Sequence, residues 1–232
     1  MDWQPLVKPA ESAENRLLEG ILSGYFPINS TLPAERELAV QVGVTRPTLR
    51  EALQRLARDG WLEIQHGKPT RVRDYWQEGS LAVLSALAQS PVHQSSDFVV
   101  HLLDLRVLLA PAYTSQAIHN APGKVISLLE SFSGLDDTPD AYSRADWDLH
   151  ELLAGSASNP VFKLLLNGFQ NLYMLVGMQY FSSSRCRQHS HDFYQALLGC
   201  ARRGADGESE SLTRRIMIES KAMAMKMQED EK

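Results

Sequence analysis

Thr45, Arg46, Thr48 and Arg50 stand at the head of one helical stretch, and Arg46 and Arg50, four apart, share a face of it. An arginine there can match its guanidinium to the two acceptors on guanine's major-groove edge, while threonine hydroxyls meet phosphate or cap the helix. Further on, His66-Gly67-Lys68-Pro69 makes a tight basic turn that can reach the flanking backbone or the minor groove. From Thr45 to Arg73 there are seven Lys/Arg against three Asp/Glu, in a chain of net charge −5. Positive charge is thus gathered where phosphates would be met.

Other candidate groups do less. Asp146 and His150 lie four apart on one helix face, but two ligands do not close a tight metal site. In Cys186-Arg187-Gln188-His189-Ser190-His191 the histidines are two apart and face different directions on a helix. Ser184, His189 and Asp192 can be drawn as a triad, but they share one local segment with no nucleophile elbow. Asp146 and Asp148 point apart, and no glycine-rich phosphate loop is present. The expectation is a non-enzyme with no resident metal or cofactor.

The elements that must position the basic residues are legible. Pro33 suits a first helical turn, and Glu35 favours a helix N-terminus. Gly43 stops that helix, and Thr45 is a good cap for the next, whose first turn tolerates Pro47. Leu49, Ala52, Leu53, Leu56 and Ala57 form its buried stripe, and Gly60 ends it. Leu62 and Ile64, then Thr70 and Val72, alternate with polar residues on either side of the basic turn, which predicts a hairpin. Helix, turn, helix and hairpin make a winged helix-turn-helix, whose second helix enters the major groove. A helix over Glu11–Leu22 packs behind it, and residues before Glu11 are expected to be loose.

The chain has 232 residues, 44% hydrophobic and 22% charged, ordinary globular values. Two cysteines supply no disulfide framework, which fits a reducing compartment. The first residues lack a signal-peptide pattern. The apolar run Val161–Phe181 is interrupted by Lys163, Asn167, Gln170, Asn171 and Gln179, so it predicts a buried helix rather than a membrane span. The fold class expected is mainly α: residues 1–74 a winged helix-turn-helix domain, 75–79 a linker, and 80–232 an all-helical bundle able to hold a ligand in its core. Helices are predicted around Leu81–Leu87, from Asp97 with a kink at Pro111, and over Gly123–Phe132, Asp140–Ala157, Pro160–Phe181, Arg185–Arg203 and Ser209–Gln228.

The runs LPAERELA, GVTRPTLREALQRLARDGWL and HGKPT resemble the DNA-binding domain of the GntR superfamily of bacterial repressors, densely up to about Trp76. QRLARDGW and IQHGKPT are especially similar to its branch of fatty-acid-metabolism regulators. The resemblance implies that Arg36, Thr45, Arg46, Thr48, Arg50, His66, Gly67 and Lys68 contact a double-stranded, palindromic DNA operator bound by a homodimer. Pro47 stands where a second threonine is expected. LLLNGFQNLYMLVGMQYF resembles that branch's pocket helix, which implies a long-chain fatty acyl-CoA effector. Leu102, Leu105, Leu109, Phe169, Leu172 and Met178 would take the tail, and Arg106, Arg214 and Arg215 the phosphates at the mouth. Tyr180 and Ser220 would lie near the thioester, with His150 in the pocket or core. Met217 and Ala224 replace an expected glycine and tryptophan. Many relatives hold a metal with Asp-x-x-x-His plus two further histidines; here those places carry Tyr194 and Ile216–Ser220. A small-carboxylate sensor using a bound metal is therefore the alternative. A cytoplasmic protein that neither enters nor binds a membrane is implied.

Overall fold

The structure, a computed structural model, describes residues 8–90 and 96–230. The chain divides into two compact units, 1–93 and 94–232.

In the first unit, α1 (Pro9–Leu22) begins two residues before the predicted start and buries Ala13, Leu17 and Ile21. Helix α2 (Glu35–Val42) and helix α3 (Arg46–Asp59) meet at Gly43, which has φ +76°. A side chain at that φ costs about 1–2 kcal/mol, so glycine permits the sharp turn between the helices. Arg16 Nη1 of α1 donates to the Val42 carbonyl (2.8 Å), satisfying an acceptor that the end of α2 leaves open. Leu49, Ala52, Leu53 and Leu56 of α3 are buried. The hairpin is shorter than its alternation suggested: β1 (Leu62–Glu63) pairs antiparallel with β2 (Arg71–Val72), Leu62 opposite Val72 and Glu63 opposite Arg71. Thr31 adds a bridge to Arg71 on the other edge. The expected linker over 75–79 is largely a helical turn, α4 (Tyr75–Glu78), because Tyr75 is buried against Trp61 with ring centroids 5.0 Å apart. Helix α5 (Leu81–Gln89) packs into this unit as well, burying Val83 and Leu87.

The second unit is a helical bundle. Helix α6 (Ser96–Asn120) is continuous through Pro111 and packs along α8 (Pro139–Ser156) and α12 (Asp206–Asp230). Helices α7 (Pro122–Ser131) and α11 (Ser184–Arg203) complete the core, in which Ala110, Ala117, Leu149, Leu153, Phe193 and Leu197 are buried. The single helix predicted over Pro160–Phe181 is two, α9 (Val161–Asn167) and α10 (Gln170–Tyr180). Between them Gly168 N and Phe169 N bond back three residues, to the Leu165 and Leu166 carbonyls, and the tightened turn breaks the α-helical ladder. By length and composition Phe98–Asn120 could cross a membrane. Within α6, however, a half-buried Arg106 pairs with the buried Asp146 of α8 inside the bundle, which is how a core helix uses a charge.

Candidate functional site: nucleic-acid interface and buried cavity

The head of α3 is built as its sequence requires. Thr45 caps it, its Oγ1 accepting from Thr48 N (3.4 Å) and lying 2.8 Å from the Thr48 hydroxyl. Thr45, Arg46, Pro47 and Arg50 are exposed, and Thr48 is half-buried. Arg50 Nε donates to Glu35 Oε2 at 2.8 Å, and Arg46 Nη2 lies 3.9 Å from the same oxygen. Glu35, a favourable helix start by sequence, thus also bridges to both α3 arginines. Exposed pairs of this kind are worth about 0–1 kcal/mol, so the bridge holds the two arginines only loosely. Arg36 is exposed at the start of α2, and His66, Gly67 and Lys68 are exposed at the hairpin tip, where Gly67 takes φ +74°. Among the described residues, neither Arg36 nor Lys68 has an ion-pair partner.

The second unit encloses a cavity of about 130 Å³, walled mainly by Leu102, Leu105, Leu109, Phe162, Phe169 and Leu172. Behind this apolar wall lies a buried polar cluster. Asp146 Oδ2 accepts from Arg106 Nη2 (2.9 Å) and Tyr173 OH (2.5 Å), and Asp146 Oδ1 accepts from Tyr194 OH (2.9 Å). Arg106 Nη2 is also 2.7 Å from His150 Nε2, and His150 Nδ1 is 2.7 Å from Tyr113 OH. Burial works to raise the Asp146 carboxyl, but Arg106, His150 and the two tyrosine hydroxyls outweigh it and hold it below its ordinary range. Burial and the Arg106 charge push His150 down to about 3, so its imidazole is neutral. Burial opposes the Arg106 charge, yet its anionic surroundings keep the guanidinium protonated.

These positions sort the expected residues. Leu102, Leu109, Phe169, Tyr180 and Ser220 line the cavity, as do Leu105 and Leu172. Arg106 lines it too, but not as a free cation at its mouth, since Asp146 and His150 engage it. His150 is wholly buried one bond behind the wall. Arg214 and Arg215 are exposed and lie outside the lining, Arg214 bonded to Glu210 (3.0 Å), because their helix turns that face to solvent. Met178 is exposed on α10 for the same reason. Sequence reasoning does not find Tyr113 and Tyr173, since neither has a charged or histidine partner nearby in the chain, and only the packing brings them to the cluster.

Where Asp146 and His150 could have gripped a metal, the Arg106 guanidinium stands between them, and Tyr194 bonds Asp146. Among the described residues, no three His, Cys, Asp or Glu side chains converge for a metal ion. The Ser184–His189–Asp192 triad is not assembled: His189 Nε2 faces Glu219 (3.0 Å), and Asp192 accepts from Gln188 (2.8 Å).

Residues 9–72 match the family model of bacterial regulatory proteins of the gntR family, and residues 73–231 match the FadR C-terminal domain. A fatty acid metabolism regulator protein of Shewanella amazonensis is 43% identical over 95% of this chain and 92% of its own length. One from Shewanella pealeana is 47% identical over 82% of this chain and 79% of its own length. Among solved structures, Lar, described as controlling the expression of the Listeria monocytogenes agr system, aligns with a TM-score of 0.59 at 20% identity. That alignment covers 97% of this chain and 98% of that one, a likeness of fold alone. With both of its parts matched and close relatives that are regulators rather than enzymes, the chain belongs to the FadR family, the fatty-acid-metabolism regulators within the GntR superfamily, and is a DNA-binding transcription regulator.

Proposed function

We propose that the chain binds a palindromic operator as a homodimer in the cytoplasm and is released from it by long-chain fatty acyl-CoA. In this reading, residues 1–74 contact DNA and the second unit, residues 94–232, holds the effector, because α5 at the head of the expected 80–232 domain packs into the first unit. Arg46 and Arg50 read bases, with Arg36, Thr45 and Thr48 at the helix heads and His66, Gly67 and Lys68 at the hairpin tip supporting them. No cofactor takes part.

One observation carries the effector assignment: an apolar cavity, in a unit of the FadR type, whose lining includes one half-buried cation, Arg106. Leu102, Leu105, Leu109, Phe169 and Leu172 offer an aliphatic tail the surface it needs, and each methylene buried is worth about 0.8 kcal/mol. At about 130 Å³ the cavity is close to one that holds a benzene (~150 Å³) and smaller than the ~300–1,000 Å³ of typical ligand sites. A long chain enters only as the lining helices part. The effector therefore prefers a parted state over the closed one, and that difference in affinity is what can drive release.

The test is operator release by acyl-CoAs of increasing length, with metal chelated, beside free fatty acid and free CoA. Release should strengthen with chain length and need the thioester. Release by a small carboxylate only after metal is restored would replace this reading with a metal-dependent one.

A further inference from the structure

We infer that Tyr113 is a ligand-binding residue, whose phenol hydrogen meets an oxygen of the bound effector, the thioester carbonyl, in a direction set by His150. The inference rests on the acyl-CoA reading of the cavity and comes from an accounting of hydrogens.

A guanidinium only donates, so the 2.7 Å contact between Arg106 Nη2 and His150 Nε2 makes Nε2 the acceptor. A neutral imidazole that accepts at Nε2 carries its one proton on Nδ1. His150 is neutral, for burial and the neighbouring Arg106 charge both oppose its protonation. Nδ1–H therefore donates to the Tyr113 oxygen, 2.7 Å away. The opposite tautomer would set an imidazole N–H against an arginine N–H at 2.7 Å. The phenol oxygen accepts and keeps its own hydrogen, and burial holds the phenol in its protonated form. Among the described residues that hydrogen has no acceptor, and Tyr113 lines the cavity.

Two other hydroxyls of the lining are already committed: Tyr173 donates to Asp146, and Ser220 donates to the Ile216 carbonyl (2.8 Å). Tyr180 reaches only Met223 Sδ, a weak acceptor at 3.9 Å. Of the two residues the sequence offered as thioester partners, Ser220 has thus spent its hydrogen, and Tyr180 has no His150 to aim its own. Arg106 Nε, on another lining residue, is buried and, among the described residues, without a partner. The cavity accordingly presents uncommitted donors in an apolar wall. Such a lining suits an aliphatic chain bearing an oxygen acceptor and disfavours a cation or a plain hydrocarbon, which would leave the donors unmet.

The test compares a long-chain acyl-CoA with the S-alkyl-CoA thioether of equal length, which loses only the carbonyl oxygen. Both are titrated calorimetrically into the full-length chain and into Tyr113→Phe. Wild-type protein should bind the thioester roughly tenfold more tightly, the share of one hydrogen bond. Tyr113→Phe should bind both compounds alike, at about the wild-type affinity for the thioether; a merely structural role would lower both together. A thioester preference retained by Tyr113→Phe, or absent from wild type, overturns the inference while leaving acyl-CoA as effector. Binding of neither compound by wild type overturns the acyl-CoA reading and this inference with it. Should Tyr113→Phe not fold, the infrared carbonyl stretch of ¹³C-labelled acyl-CoA bound to wild type decides: a shift to lower frequency is expected, and an unshifted band refutes the bond.

Discussion

His150 should make the second unit lose stability on mild acidification, and replacing it should remove most of that loss. The folded pKa of His150 is depressed to about 3 by burial and by Arg106, while an unfolded histidine titrates near 6.5. A depressed folded pKa contributes stability that is present above the unfolded value and is lost as pH falls towards the folded one. At pH 7 the unfolded chain gains about 0.2 kcal/mol by protonating this residue, and at pH 5 about 2.1 kcal/mol. The difference, about 2 kcal/mol, is insensitive to the folded value so long as that lies well below 5. Asp146, held below its ordinary range, stays ionised throughout this window and does not add to the effect. The perturbation is His150→Asn, whose amide can still donate to Tyr113 from the place of Nδ1 but does not titrate. Urea unfolding followed by far-ultraviolet circular dichroism at pH 7 and pH 5 gives the fall in stability for each protein. The wild-type fall should exceed that of His150→Asn by about 2 kcal/mol, the other titrating groups cancelling between them. Equal falls would mean that His150 is not held neutral and that the hydrogen accounting around Tyr113 is mistaken.

Three further outcomes concern DNA. Arg46→Ala and Arg50→Ala should each weaken operator binding by about 1–3 kcal/mol, and random DNA by less, if the side chain reads a base; equal loss on both DNAs at one salt concentration would make these arginines phosphate contacts only. Neutralising Lys68 should reduce the slope of log affinity against log salt by about one, and an unchanged slope would take the hairpin tip off the DNA. Glu35→Gln releases Arg50 from its 2.8 Å contact and should tighten binding to random DNA, as read by a gel shift with non-operator duplex.

The first unit was legible residue by residue because its signals are local. Pro33, Gly43, Thr45, Pro47 and Gly60 mark helix ends by backbone chemistry that acts within a few residues, and the structure places the ends of α2 and α3 beside them. The bridge from Glu35 to Arg46 and Arg50 was not legible, since it depends on the angle between two helices. In the second unit helical periodicity located the helices but counted one too few, because it missed the break at Gly168-Phe169, where the ladder tightens without a proline to announce it.

By itself, then, the sequence determined the winged helix-turn-helix, the mainly helical remainder and the family, because caps, periodicity and motif spacing are written along the chain. Only the tertiary structure decided what the ionisable residues do. Arg106 and Asp146 are forty positions apart, and Tyr113, Tyr173 and Tyr194 come from three different helices. Their pairing turns Arg106 from a free cation into a paired one and fills the place between Asp146 and His150 with a guanidinium, while the packing of α12 leaves Arg214 outside the lining. A charge in low dielectric must find its counter-charge wherever the packing puts it, and no local pattern in the sequence encodes that partner.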